Sequence, residues 1–425
     1  MGLPAGAQRK IFFFGVLGTA QGFGPTHTGI QTPSQSANSI AVTSVLLSHR
    51  AIADINETFR DTFDCIFRMG KMMCRFVWWP RIVAKAGLLG LFFVFSLAVQ
   101  AQDDGFKAVP ILTGSTAYFT RVTAGKYQDA PSVSPLLLLP LGDKWLIEAK
   151  GSYSDTFSKN AQGDYNGTIS YGMAYGQVDY IANRYMTFVA GRFTTPFNIY
   201  GERLAPNWVR ALQTTPLTSP VTSGSALGGM VRGGFPTTDS LNLTYALYFS
   251  SNNTHHLLAT DRSTGGRIGF FLPHQRLEIG ASFQQVLQAP RPHSSGIFFE
   301  WQSDRAPVTV RSEYARSSGT KGSGYWIESV YRLSQISALR RLELVGRGEQ
   351  FFAASRLSAA TIKKLGALGK DTNEADFGMN YYLRSDIRAS ASYGRQFVLG
   401  RNANLWTIGM TYRFLMPMLP QGGAR

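Results

Sequence analysis

The stretch Leu277-Glu278-Ile279-Gly280-Ala281-Ser282-Phe283-Gln284 alternates apolar and polar side chains without a break. In an extended strand successive side chains point to opposite faces. Leu277, Ile279, Ala281 and Phe283 therefore share one face, and Glu278, Gly280, Ser282 and Gln284 the other. The same period returns along the chain. Leu241, Leu243, Tyr245, Leu247 and Phe249 oppose Asn242, Thr244, Ala246 and Ser250. Phe377, Met379, Tyr381 and Leu383 oppose Asp376, Gly378, Asn380 and Arg384. Trp406, Ile408, Met410, Tyr412 and Phe414 oppose Thr407, Gly409, Thr411 and Arg413. A soluble sandwich also alternates. Here the runs last about nine to eleven residues, the length of a tilted strand that crosses a bilayer. Aromatics gather near the ends of many runs, as in the interfacial girdles of membrane barrels.

The connections point the same way. Residues 141–144, 183–184, 237–240, 273–275, 304–307 and 384–386 read as short turns. Between them lie longer polar stretches rich in Gly and Ser, such as residues 154–167, 251–264 and 353–372. Short turns on one side and long loops on the other are the membrane-barrel rule. The pattern predicts about sixteen strands, an even number as a closed bacterial barrel requires. They start near Leu112, Val133, Trp145, Thr168, Tyr185, Ala226, Leu241, Arg267, Leu277, Ile297, Val308, Tyr325, Leu342, Ala375, Ile387 and Leu405. The expected fold is all-β: a transmembrane antiparallel β-barrel with no plug domain. Strand pattern begins about ten residues after Gln102, which leaves no room for a plug.

Composition agrees. Of 425 residues only 16% are charged, against about 25% in a typical soluble domain, while 13% are aromatic and 44 are Gly. The formal net charge is +16. A basic chain can bind nucleic acid. Here Arg and Lys are scattered singly, and no basic run exceeds Arg340-Arg341 or Lys363-Lys364. From Gln102 onward 33 Lys and Arg face 22 Asp and Glu. The excess bears on the charge of a lumen.

Residues 69–101 read as a signal peptide. Lys71, Arg75, Arg81 and Lys85 form a basic region, residues 86–98 an apolar one, and Val99-Gln100-Ala101 a cleavage site. The apolar run is too short for a transmembrane helix, which needs about twenty residues. Residues 1–68 form an extension without clear period. Translation from Met69, Met72 or Met73 would leave the signal at an N-terminus. Sequencing of the mature protein should read from Gln102, and a start upstream of Lys71 would overturn the cleavage reading. The two cysteines, Cys65 and Cys74, both precede the cleavage point. The mature part, residues 102–425, thus has no disulfide, thiolate metal site or Cys nucleophile.

One connection stands out. From Thr194 to Pro220 the chain mixes apolar anchors with Glu202, Arg203 and Arg210. It joins the fifth and sixth expected strands, which makes it the third outer loop. A loop of this length with its own apolar residues packs against something. Packing inside the barrel would narrow the channel and set Glu202, Arg203 and Arg210 at a constriction. The alternative is packing over the rim or against a neighbouring subunit.

Gly191-Arg192-Phe193-Thr194-Thr195-Pro196-Phe197, with Glu202-Arg203-Leu204, resembles a segment of porins of the phosphate-selective O/P type and their relatives. Residues 135–148, PLLLLPLGDKWLIE, are similar to the N-terminal hairpin of related porin-like proteins. The motifs cover about thirty to forty residues. The resemblance implies a sixteen-stranded, trimeric channel with an inward third loop. It does not extend to phosphate selectivity, because Lys is scarce and the family's basic ladder has no residue-by-residue counterpart here.

Alternation also nominates lumen charges. Glu278, Glu300, Arg311, Glu313, Arg384, Arg388 and Arg413 lie opposite the apolar face. An Arg or Lys facing lipid at mid-depth costs about 2–4 kcal/mol, so these side chains should point inward. Rings of side-chain charge set ion preference, and the Arg excess favours weak anion preference. The closing Tyr412-Arg413-Phe414 resembles the assembly signal of outer-membrane proteins, which implies the barrel-assembly machinery as a partner, although residues 415–425 continue past it. No catalytic constellation is evident: His255-His256 and His274 lack a nucleophile or acidic partner. Residues 366–371 lack a phosphate loop's spacing. No catalytic, cofactor or metal residue is expected. The expected function is passive diffusion of small polar or anionic solutes across the outer membrane. A non-transporting barrel, either an envelope enzyme or a structural or adhesive anchor, is the alternative.

Overall fold

The computed structural model describes residues 110–159, 163–222, 224–254, 258–288, 291–318, 321–354, 368–398 and 401–417. The expected extension, signal peptide and mature N-terminus lie outside the described residues, as do His255 and His256. Sixteen strands follow one another: β1 Ile111–Thr123, β2 Lys126–Leu141, β3 Trp145–Lys159, β4 Tyr165–Asn183, β5 Met186–Thr194, β6 Ser225–Thr238, β7 Leu241–Ser250 and β8 Ser263–Leu272, then β9 Leu277–Val286, β10 His293–Gln302, β11 Val308–Ser317, β12 Ser323–Arg332, β13 Leu342–Phe352, β14 Thr372–Tyr382, β15 Ile387–Val398 and β16 Arg401–Pro417. Each pairs antiparallel with its sequence neighbours, and β1 pairs with β16 from Ile111↔Pro417 to Thr123↔Leu405, which closes the barrel. Closure leaves no sheet edge along the wall.

Exposure is inverted relative to a soluble protein. Ile279, Phe283, Ile297, Phe377, Met379, Trp406 and Met410 face outward, Ile297 with 59% of its surface free. Ser282, Glu313, Asp376, Thr407 and Thr411 are buried inside. An apolar outside around a polar interior is stable only where lipid replaces water as the outer solvent. The protein is an outer-membrane barrel. At sixteen strands the wall encloses more than side chains alone can fill.

Four expectations need correction. β2 begins at Lys126, not near Val133. Its run KYQDAPSVSP carries Pro131 and Pro135 and lacks alternation, yet pairs with β1 throughout. Residues 154–167 are mostly strand: Asp155↔Ile169, Thr156↔Thr168 and Phe157↔Gly167 are ladder pairs. Ser, Thr and Asn on the inner face gave that hairpin the composition of a loop. The turn-and-loop rule is also not strict. β1 and β2 are joined on the loop side by Ala124 and Gly125 alone, and β12 and β13 on the turn side by residues 333–341, with a 3₁₀ turn at Ser337–Leu339. Lastly, Arg384 lies in the turn 383–386 and not on a strand. Its side chain is 73% exposed and pairs with Asp386 at 3.2 Å. The alternation of β14 simply stops at Tyr382.

Candidate functional site

The connection from β5 to β6, described over residues 195–222 and 224, folds inside the barrel against inward-facing side chains of the wall. Its entry is a socket. Asn198 adopts a left-handed conformation, φ 52°, and Ile199 a right-handed one. Alternating hands turn successive N–H groups toward one point, a concavity that suits an anion. The anion is Glu313 of β11. Its Oε1 accepts from the N–H of Ile199 at 2.7 Å and of Tyr200 at 2.5 Å, and its Oε2 from Trp326 Nε1 at 3.1 Å. Glu313 is 0% exposed. Asn198 donates from its N–H to Ser282 Oγ at 2.9 Å and from Nδ2 to the Tyr314 carbonyl at 3.2 Å. Its amide lies over Gly296, where a Cβ would meet it at 2.6 Å, so a side chain there would displace the loop.

After the socket comes a single π turn, Tyr200–Leu204. Ile199, Tyr200 and Leu204 pack with Phe298 and Trp326. Its charged residues are fastened to the wall. Arg203 donates to both oxygens of Glu278, at 2.6 and 2.8 Å, and lies 3.9 Å from Glu300. Burial opposes the charge of Arg203, but the hydrogen bond and charge of Glu278 outweigh it and raise its pKa. Arg267 of β8 pairs with Glu202 and donates to the Asn198 carbonyl at 2.9 Å. A double-mutant cycle on Arg203→Ala and Glu278→Ala should give a coupling of about 1–2 kcal/mol for this bidentate pair. Partial hydration of Arg203 places the value toward the lower end. Additive single effects would mean that the pair does not hold the loop.

The tip reaches the far wall. Asn207 Nδ2 donates to Ser132 Oγ of β2 at 3.1 Å. Arg388 of β15 donates to the carbonyls of Trp208 at 3.1 Å and Asn207 at 2.8 Å. The Trp208 ring lies 5.4 Å from the Arg388 guanidinium and 5.2 Å from that of Arg413, with Tyr382 edge-on at 6.3 Å. On the return, Ala211 and Leu212 pack with Val330 and Val345, and the Ala211 carbonyl accepts from Asn380 Nδ2 at 2.8 Å. Arg347 of β13 then centres a charged cluster. It meets Glu349 at 2.5 Å, Asp376 at 3.0 Å and Glu328 at 3.7 Å, and donates to Thr214 Oγ1 at 2.6 Å. Glu349 Oε2 accepts from the Leu217 N–H at 2.5 Å. Phe197, Leu217 and Val221 bury against Ala315 and Phe351.

The nominated residues therefore sort by partner. Glu202, Arg203, Glu278, Glu313 and Arg388 fasten the loop. Glu300 lies beside Arg203, and Arg311 lies 3.5 Å from Glu328. Arg210 donates from Nε to the Ala205 carbonyl at 2.7 Å. Sequence reasoning missed Arg267, Glu328, Arg347, Glu349, Asp376 and Asn380. Glu349, Glu374 and Asp376 bring carboxylate oxygens within 4.8 Å of one another, the spacing of a cation site. Arg347 already supplies the cation there.

Among the described residues, inner-face cations with no carboxylate within ion-pair distance include Arg121 of β1, Lys150 of β3, Arg210 of the loop and Arg413 of β16, besides Arg388, which is bound to the loop carbonyls. Arg121 stands opposite buried Thr407, between residues whose partners Ile408 and Trp406 are outward. Lys150 stands opposite Tyr175, 5.9 Å from its ring. Arg210 is near enough to both Arg121 and Lys150 for their charges to repel.

No protein-family model matches the chain, and no curated protein matches it. Solved structures similar to it include Salmonella typhi OmpF in complex with daunomycin, at 12% identity over 73% of this chain and 99% of that one, with a TM-score of 0.48. The outer membrane channel DcaP of Acinetobacter baumannii is also similar, at 12% identity over 72% and 97%, with a TM-score of 0.47. An anion-selective porin from Comamonas acidovorans follows, at 9% identity over 73% and 100%, with a TM-score of 0.45.

Proposed function

We propose that the protein is a passive outer-membrane channel for small polar solutes and ions, with a weak preference for anions. Residues 69–101 would be its export signal, and residues 195–224 its constriction. The observation that carries the reading is the charge inventory of the interior. Most acidic side chains beside the loop are spent on holding it, whereas Arg121, Lys150, Arg210 and Arg413 have no carboxylate partner among the described residues. Glu148 and Glu374 also lack an ion pair there, so the net field is modest and the preference weak. The likeness of residues 191–204 to porins of the phosphate-selective O/P type supports a trimer. It does not extend to phosphate as the solute.

Two measurements test the reading. Liposomes carrying the protein should swell in small neutral solutes. In a KCl gradient the reversal potential should favour chloride. Replacing Arg121, Lys150 and Arg210 together by Ala should lower the chloride-to-potassium permeability ratio by roughly twofold or more. Cation selectivity of the unaltered protein would contradict the anion assignment.

A further inference from the structure

Residues 333–341, which join β12 to β13 on the turn side, number nine, where the other turn-side connections run to between two and five. The added length is ordered. The Leu333 N–H donates to the Leu342 carbonyl at 2.9 Å, and the Leu339 N–H to the Ile336 carbonyl at 2.9 Å. The turn is also tied to its neighbours. Gln335 Nε2 donates to the Arg305 carbonyl in the β10–β11 turn at 3.4 Å, and Arg341 Nη1 to the Leu383 carbonyl in the β14–β15 turn at 3.1 Å. Three connections thus form one surface at this end of the barrel, which faces the periplasm in barrels of this class.

That surface carries apolar side chains where turns are usually polar. Ile336 is 47% exposed, Leu339 40% and Leu383 44%. Ile336 and Leu339 are three apart across the 3₁₀ turn, a spacing that brings side chains to one side. They extend the lipid-facing wall. Leu342 and Tyr381 are ladder partners on its outer face, and Leu339 and Leu383 follow within three residues of them along the chain.

Charge narrows the occupant. The three connections, the strand ends beside them and their paired residues carry Arg276, Arg305, Arg332, Arg340, Arg341 and Arg384 against Asp304, Glu343 and Asp386. Arg276 pairs with Asp304 at 2.9 Å and Arg384 with Asp386 at 3.2 Å, and Arg332 stands opposite Glu343 in the ladder. That leaves a surplus of three. Arg305, Arg340 and Arg341 are exposed and have no carboxylate within ion-pair distance among the described residues. Exposed apolar groups beside uncompensated Arg, at the end of a lipid-facing wall, match the boundary between acyl chain and headgroup. An acidic protein would match the Arg side chains but not the continuity with the wall.

We infer that this surface docks an anionic phospholipid of the leaflet on the turn side. Its acyl chain would lie against Ile336, Leu339 and Leu383, and its headgroup charge would be met by Arg305, Arg340 and Arg341.

The test folds the full chain into nanodiscs of phosphatidylcholine, with or without phosphatidylglycerol, and reads hydrogen exchange. Amides of residues 333–341 should exchange at least about threefold more slowly with phosphatidylglycerol present. Molar salt should remove the difference. Arg305→Gln with Arg340→Gln should remove it too, and neither side chain makes the bonds that order the turn. Arg316→Gln with Arg395→Gln, at two exposed residues of the opposite end, should leave it unchanged. Equal exchange in the two lipids overturns the inference. So does slowing that persists in the turn variant or disappears in the opposite-end variant. Slowing by added polyglutamate and not by phosphatidylglycerol overturns it as well, and marks the surface as one for an acidic protein. The readout needs no ion flow, so the inference and the channel reading fail separately.

Discussion

Glu313→Ala should unfasten the loop while leaving the barrel standing. The substitution removes the acceptor of three buried donors at once: the N–H groups of Ile199 and Tyr200 and the indole N–H of Trp326. A hydrogen bond to a charged acceptor contributes about 1.5–3 kcal/mol, and the two backbone bonds belong to the loop itself. The held state should lose at least about 3 kcal/mol, which raises the open population on the order of a hundredfold. Limited proteolysis between Ile199 and Trp208 should accelerate accordingly. Single-channel conductance should rise, because the loop no longer crosses the interior. Glu313 itself is sealed from water, so any movement of the reversal potential should be toward zero, as the freed loop carries Arg210 out of the constriction. Glu313→Gln should be intermediate, since its carbonyl can serve the backbone while its amide meets Trp326 donor to donor. Were Glu313 a charge of the ion path, its loss would shift the reversal potential toward anions and leave proteolysis unchanged.

Arg347→Met should be the most destabilising single change in the interior. Arg347 is the guanidinium among Glu328, Glu349 and Asp376, and its side chain is 2% exposed. Removing one partner of a buried ionic cluster costs about 3–5 kcal/mol, because charges remain where water cannot reach them. The effect should appear as loss of refolding yield and a lowered urea midpoint for the barrel, since β12, β13 and β14 all contribute to the cluster. Adding Glu349→Gln and Asp376→Asn should recover much of the loss by removing the orphaned charges. If the single variant refolds like the unaltered protein, the cluster is hydrated and does not hold the return limb of the loop.

The wall could be read from the sequence because one face of each strand meets lipid. Leu277–Phe283 and Trp406–Phe414 announce their faces in every second residue, and the starts of β3, β7, β9, β11, β13 and β15 fall at the residues where alternation begins. Alternation fails where the outer face no longer needs bulk. On β13, outward Gly346 and Gly348 carry no side chain, while Val345 and Phe351 are buried inward. Arg347 and Glu349 therefore went unrecognised beside them. The loop could be found by its apolar anchors, but its partners could not. Glu313 lies more than one hundred residues from Ile199 in sequence, and Glu349 as far from Leu217. Nothing local to either marks the bond. The same gap misplaced Glu313 as a lumen charge: its strand face was right, but a carboxylate capped by three donors does not meet passing ions.

Planar-bilayer recording of the purified protein tests the central claim most directly. A barrel whose interior is crossed, and not sealed, by residues 195–224 should insert in discrete steps of equal size, with current linear in voltage and a reversal potential on the chloride side in a KCl gradient. Folded, membrane-inserted protein that gives no step-like conductance would contradict the account and leave a barrel that transports nothing.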